Sequence, residues 1–291
     1  MAGGTIDFAD YMALALYAPG LGYYSAGQER FGPGGDFTTA PLMTDLFSRT
    51  LAWEVARILQ ASQGDTVLEF GAGTGRMAAD MLAELARRDA LPARYLILEV
   101  SADLRARQAA TLAERVPDLA ARVTWLDRLP TQPLDGVVLA NEVLDALPVR
   151  RFHRREDGVD SLGVGHDAEG ALCWRALPAD AELSAAVEAI EADVGTALPP
   201  GYVSEWCAGL RPWVHSLAGV LGTGAALLID YGYPRREYYH PQRATGTLLC
   251  HYRHRAHDDP FFWPGLQDLT ASVDFTIAAR AAADAGLAVL G

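Results

Sequence analysis

The sequence predicts an α/β fold, a doubly wound and mostly parallel sheet, from three observations. Residues 67–75 (Val-Leu-Glu-Phe-Gly-Ala-Gly-Thr-Gly) pass from a short apolar strand into a glycine turn, and 76–88 follow with Met77, Met81, Leu82 and Leu85 at helical spacing. Residues 94–100 then read as a second strand with Glu99 near its carboxyl end. Residues 134–140 are mostly apolar, as a strand covered on both faces must be.

The remaining elements follow in order. Residues 6–17, with Phe8, Met12, Leu14 and Leu16, predict a helix broken by Pro19-Gly20. Residues 31–41 hold too many glycines and threonines for a regular element. They predict a loop whose Asp36, Phe37 and Thr38 fold over a ligand, since long loops in compact domains are often functional. Residues 42–61 predict a helix, as do 102–116, stopped by Pro117. Residues 122–126 predict a third strand with Asp127 just beyond it, facing an adenine or capping a turn.

The fourth strand runs straight into Asn141-Glu142-Val143-Leu144-Asp145-Ala146-Leu147-Pro148-Val149. Polar residues at the carboxyl end of a central strand lie at the ligand crevice, so the chemistry is expected here. Short alternating runs with Asp-Gly and Glu-Gly turns over 149–177 predict antiparallel hairpins. Residues 181–192 and 206–221 predict helices, 225–230 the fifth strand, 268–285 a mostly helical span and 286–291 the start of a sixth strand. The chain thus divides into an N-terminal helical cap with a lid loop (1–60), the first half of a ligand-binding core (61–150), an insertion (151–217) and the second half of the core (218–291) with its own insertion around 232–267.

Composition narrows the chemistry. All 24 basic residues are arginine, which removes Schiff-base and P-loop lysines, and with them PLP enzymes and P-loop NTPases. The net charge of −13 argues against a nucleic-acid partner. Cys173, Cys207 and Cys250 are too few and too scattered for a disulfide framework or a zinc site. His251, His254 and His257 do not share one helical face and lack an obvious completing ligand, so no metal is expected. No apolar run is long enough to span a membrane, and a reducing cytoplasm fits best.

The glycine turn can be framed in two registers. Counted from Gly73, Gly73-x-Gly75-x-x-Ala78 formally matches a dinucleotide fingerprint but leaves Glu69 unexplained. The alternative description is Glu69-x-Gly71-x-Gly73-x-Gly75, which resembles motif I of class I S-adenosylmethionine (SAM) methyltransferases. That resemblance implies that Glu69 serves the ligand's amino group and that Gly71, Gly73 and Gly75 let its amino-acid part lie against the turn. Glu99 is placed to accept both ribose hydroxyls and to repel a 2′-phosphate.

Further stretches resemble the MidA-like family, relatives of the mitochondrial complex I assembly-factor arginine methyltransferase. They are Leu16-Tyr17 with Gly22-Tyr23-Tyr24, Gly35-Asp36-Phe37-Thr38-Thr39-Ala40-Pro41, residues 141–149, Asp230-Tyr231-Gly232-Tyr233, Gly246-Thr247-Leu248 and residues 264–270. The resemblance spans nearly the whole chain. It implies a Rossmann-like class I methyltransferase with SAM as cofactor and a protein arginine as substrate, with symmetric dimethylation favoured. Glu142 would anchor the guanidinium and Asp145 would be the second acid, unless Asp145 only caps the following turn. Asn141 joins the cofactor site. Family members continue past this chain's last residue, so the seventh strand of a class I core is expected to be missing here, either because the chain is a fragment or because the edge is finished differently.

Three other readings stay open from sequence. They are a non-catalytic SAM-binding assembly factor, a small-molecule methyltransferase and, through the shifted glycine register, a nicotinamide dehydrogenase. The adenine-N6 and cytosine-C5 chemistries fail, because the prolines and the cysteine they require after the fourth strand are absent.

Overall fold

A computed structural model describes residues 4–25 and 39–291. The described residues fall into two compact units: one within Gly27–Val143 and His215–Asp230, the other within Met1–Ala26, Leu144–Val214 and Tyr231–Gly291. Asp36, Phe37 and Thr38 lie outside the described residues.

The first unit is built on a five-stranded parallel sheet. Its spatial order is Leu221–Ile229, Leu134–Asn141, Thr66–Phe70, Arg94–Leu98 and Val123–Leu126. All five residues of Thr66–Phe70 are buried, because both neighbours and both faces are covered. The strand order reverses between Thr66–Phe70 and Leu134–Asn141, and the carboxyl ends at such a switch point form a crevice in open α/β sheets.

The amphipathic helix Arg76–Arg87 buries Met77, Met81, Leu82 and Leu85 in one cluster with Val67, Tyr95, Ile97, Val137 and Leu139. Each such side chain contributes about 1.5–3 kcal/mol of burial. Helix Asp45–Ser62 starts at Thr44, whose hydroxyl accepts from the Leu46 N–H. Helix Ala102–Arg115 starts at Ser101, which accepts from the Leu104 N–H.

The main sheet of the second unit is antiparallel. Strands Ile6–Asp7, Val159–His166, Arg150–Arg154 and Val203–Trp206 lie in that order, with Leu172–Pro178 also paired to Val159–His166. Phe152, Leu183, Val187, Ile190, Tyr202, Tyr238 and Tyr239 form its apolar cluster. A small sheet joins Arg255–His257, Leu249–Tyr252 and Asp268–Thr270.

Several boundaries differ from the sequence expectation. Trp206 closes a strand instead of opening a helix, and the helix begins at Leu210. The strand exists because Arg151 and Glu205 stand directly opposite each other and form an ion pair at 3.2 Å. The fifth strand is longer than expected and begins at Leu221. Residues 268–274 supply two short strands, Asp268–Thr270 and Val273–Asp274, instead of helix. Asp274 then caps helix Phe275–Asp284 by accepting from the Thr276 and Ile277 N–H groups, which fixes where that helix can start. Residues 286–291 do not form the expected sixth strand; no strand of the described residues pairs with them.

Candidate active site

The turn after Thr66–Phe70 depends on glycine. Gly71, Gly73 and Gly75 have φ of +59°, +52° and +80°, a region that costs other residues strain. A Cβ at Gly75 would sit 2.9 Å from Gln108 Cα, and one at Gly71 would sit 3.3 Å from Val143 Cγ2. The backbone is therefore closely approached on both sides. Gly75 also opens helix Arg76–Arg87, so the N–H groups of the first helical turn and the positive end of the helix dipole lie at the turn.

Glu99 stands at the end of the adjacent strand and is buried. It accepts from the Ser101 N–H (2.9 Å) and from the Gln108 side-chain amide (3.1 Å). Burial pushes its carboxyl up, opposed by these donors and by the Arg105 charge. The same Gln108 amide also donates to the Gly73 carbonyl at 3.0 Å, and its oxygen accepts from the Trp125 indole at 2.8 Å. Asp127 lies exposed just past the third strand.

Glu69 is almost fully buried and accepts from the Tyr95 hydroxyl at 2.6 Å. Burial pushes its carboxyl up to about 7, opposed by the Tyr95 hydrogen bond. Tyr95 packs within the apolar cluster and orients the acid from beneath the turn.

The end of the fourth strand brings a second group together. Asn141 is its last residue, paired with Ile229 of the fifth strand. Glu142 follows with φ of +51°, a conformation that a residue with a Cβ adopts at a cost of about 1–3 kcal/mol. Such strain persists where surrounding contacts impose it, and here the Glu142 N–H is held by the Ile229 carbonyl at 2.9 Å. The next N–H, of Val143, is held by the Asp230 carboxylate at 3.0 Å. Burial, and then the negative charge of Asp230, push the Glu142 carboxyl up; the Ala40 N–H and the Asn141 side chain, both hydrogen-bonded to it, oppose this.

Asp145 belongs to the other unit. It is buried, and its carbonyl accepts from the Ala271 N–H at 2.9 Å. The Tyr17 hydroxyl donates to the neighbouring Ala146 carbonyl at 2.7 Å, and the Tyr24 hydroxyl donates to Asp268 at 3.0 Å. The Tyr17 and Tyr24 rings stack 5.7 Å apart. Burial, then the charges of Asp268 and Asp145, push the Tyr17 hydroxyl up.

Three residues were not singled out from sequence as site residues: Gln108, Asp230 and Tyr95. Gln108 does carry a signal, since it occupies the same helical face as Leu104 and Leu112. The histidines of 251–257 fall on two paired strands and the turn between them. Among the described residues no group of three or more His, Cys, Asp or Glu is placed to hold a metal ion.

A glycine cradle that a Cβ would fill, next to a helix N-terminus and an acceptor-only acid at the following strand end, defines a nucleoside-ligand site on a Rossmann-like sheet. The donor chemistry fits SAM: ribose hydroxyls donate and Glu99 accepts. A family model for SAM-dependent methyltransferases matches residues 50–291, and the chain belongs to that family. A Burkholderia thailandensis protein solved with bound S-adenosyl-homocysteine is 48% identical, with a TM-score of 0.92 over 97% of this chain and 73% of that one. A native crystal structure from the same organism gives 47% and 0.89 over 97% and 72%.

The protein arginine methyltransferase NDUFAF7, mitochondrial, of Danio rerio is 29% identical over 98% of this chain and 70% of its own length. That of Mus musculus is 29% identical over 96% and 66%. The chain thus spans about two thirds of the length of these curated relatives.

Proposed function

We propose that the chain transfers methyl groups from SAM to arginine side chains of a protein. The observation that carries this reading is Glu142, a half-buried carboxylate held in a left-handed backbone conformation at the switch point and facing a second acid, Asp230. Two half-buried carboxylates at close quarters repel each other, and a cationic guest relieves both the repulsion and the burial. The guanidinium is planar, charged at all ordinary pH values and suited to bidentate pairing with a carboxylate. The relatives named as protein arginine methyltransferases support the same substrate.

When bound, SAM supplies a methyl group already activated on a sulfonium. The chain's task is then alignment. Glu99 and the glycine turn hold the nucleoside and amino-acid ends. Glu142 fixes the guanidinium plane so that one nitrogen faces the crevice, and the negative field of Glu142 and Asp230 stabilises positive charge on that nitrogen until its proton leaves.

Glu142→Gln tests this assignment, because it keeps size and removes charge. Methyl transfer should fall about 100-fold or more while SAM affinity stays within about threefold. Parallel loss of SAM binding by a folded variant would move Glu142 to the cofactor side and remove the substrate reading.

A further inference from the structure

Gln108 is buried completely in the middle of helix Ala102–Arg115, on a face otherwise made of Leu104 and Leu112. A lone amide on an apolar face destabilises the fold unless its hydrogen bonds are made. Here they are. Its nitrogen donates to the Gly73 carbonyl at 3.0 Å and to Glu99 Oε2 at 3.1 Å, and its oxygen accepts from Trp125 Nε1 at 2.8 Å. The partners allow only this orientation, since two are acceptors and one is a donor. A single amide therefore links the loops and ends of three adjacent strands: the glycine turn after Thr66–Phe70, Glu99 after Arg94–Leu98, and Trp125 within Val123–Leu126. Helix and turn are also in direct contact, since the Gln108 Cα would lie 2.9 Å from a Cβ at Gly75.

We propose that Gln108 is the positioning residue that assembles the ribose half of the SAM site, by holding Glu99 and the glycine turn in fixed register and anchoring both to the third strand. It needs no contact with the ligand. An isosteric Met fills the volume without the hydrogen bonds, and an isosteric Glu offers acceptors where Gly73 and Glu99 need donors. The proposal rests on the family's cofactor and is independent of the arginine assignment.

The role carries a pH signature. Glu99 faces the Gln108 amide, the Ser101 and Val100 N–H groups and the Arg105 guanidinium, all of which favour its ionised form against burial. Ionised Glu99 is the form that accepts from both ribose hydroxyls. Removing the amide pushes its carboxyl further up, so the acid limb of the cofactor-affinity profile moves to higher pH.

The test is calorimetric titration of the purified chain with S-adenosylhomocysteine and with its 2′,3′-dideoxy analogue, which has neither hydroxyl to donate to Glu99. Gln108→Met is expected to weaken S-adenosylhomocysteine about tenfold or more, the scale of a hydrogen bond to a charged group, and the dideoxy analogue less than about threefold. The acid limb should shift upward for the first ligand. In a Glu99→Gln background the same substitution should add nothing further. Trp125→Phe, which frees the Gln108 oxygen while keeping Gln108, should show a smaller loss with the same preference, and it decides the matter if the Met variant does not fold. Wild-type affinity in a folded variant, or equal losses for the two ligands, would overturn the proposal.

Discussion

Buried acids are partnered in two ways, by arginine or by neutral donors, and each unit contains both. In the antiparallel unit two buried carboxylates are matched with arginine, Glu205 with Arg151 at 3.2 Å and Asp274 with Arg235 at 2.9 Å, whereas Asp268 accepts from the Tyr24 hydroxyl at 3.0 Å. In the parallel-sheet unit Asp80 and Glu84 on helix Arg76–Arg87 are likewise matched with arginine, whereas the acids toward the carboxyl ends of the strands accept from neutral donors. Glu69 has the Tyr95 hydroxyl, Glu99 the Ser101 N–H and Gln108, and Glu142 the Ala40 N–H and Asn141. Burial pushes all three up. An acid spent on an arginine stabilises the fold at that place, whereas an acid held by neutral donors keeps its charge available to a ligand's hydroxyls or cation. In the parallel-sheet unit the second arrangement is found toward the carboxyl ends of the strands.

The largest expected effect tests the structural half of that comparison. Glu205→Ala leaves Arg151 and the Thr247 N–H without their carboxylate and should destabilise the chain by about 3–5 kcal/mol in denaturant unfolding. A loss below about 1 kcal/mol would mean that the pair is not structural.

Glu69→Gln tests the other half through pH. The folded value of about 7 lies above the ordinary 4.5, so the stability linked to Glu69 is fully present below 4.5 and is lost as pH rises through 7. The ligand-free wild type should lose about 3 kcal/mol over that window on this account. The Gln variant, which still accepts from Tyr95, should lack that loss. Its unfolding midpoints at pH 5 and pH 8 then differ less than those of wild type. An unchanged difference would place the charge elsewhere.

Gly75→Ala should cost about 1–3 kcal/mol, since the residue sits at φ of +80° with Gln108 backbone in the way. The shift in thermal midpoint on adding SAM should shrink in the same variant. The smallest effect belongs to Arg57→Ala, on the exposed helical pair with Glu54, where no measurable change in midpoint is expected.

Legibility in the sequence follows the range of the interactions. Glu69, Gly71, Gly73, Gly75 and Glu99 were readable because a strand, a glycine turn and a helix are specified within a few residues of one another. Gln108 was not, because its place between Leu104 and Leu112 marks it as buried without naming its partners, the Gly73 carbonyl, Glu99 and Trp125. Asp230 stood out only as part of a family stretch. Its effect on Glu142 depends on the fifth strand lying beside the fourth, a pairing of residues far apart in sequence. The left-handed backbone of Glu142 carries no sequence mark at all, since it is neither Gly nor Asn. In the antiparallel unit, Val203–Trp206 buries the polar residues Ser204 and Glu205, and what makes it a strand is the partner Arg151, far away in sequence.

The central claim is that this SAM-dependent methyltransferase acts on arginine and that Glu142 orients it. The most direct measurement incubates the purified chain with deuteromethyl-SAM and a protein extract, then locates the label by tandem mass spectrometry. The account expects label on arginine guanidinium nitrogens, reduced about 100-fold or more by Glu142→Gln with SAM affinity retained. Label on carboxylates, hydroxyls or a small molecule, or arginine label undiminished in the Gln variant, would contradict it.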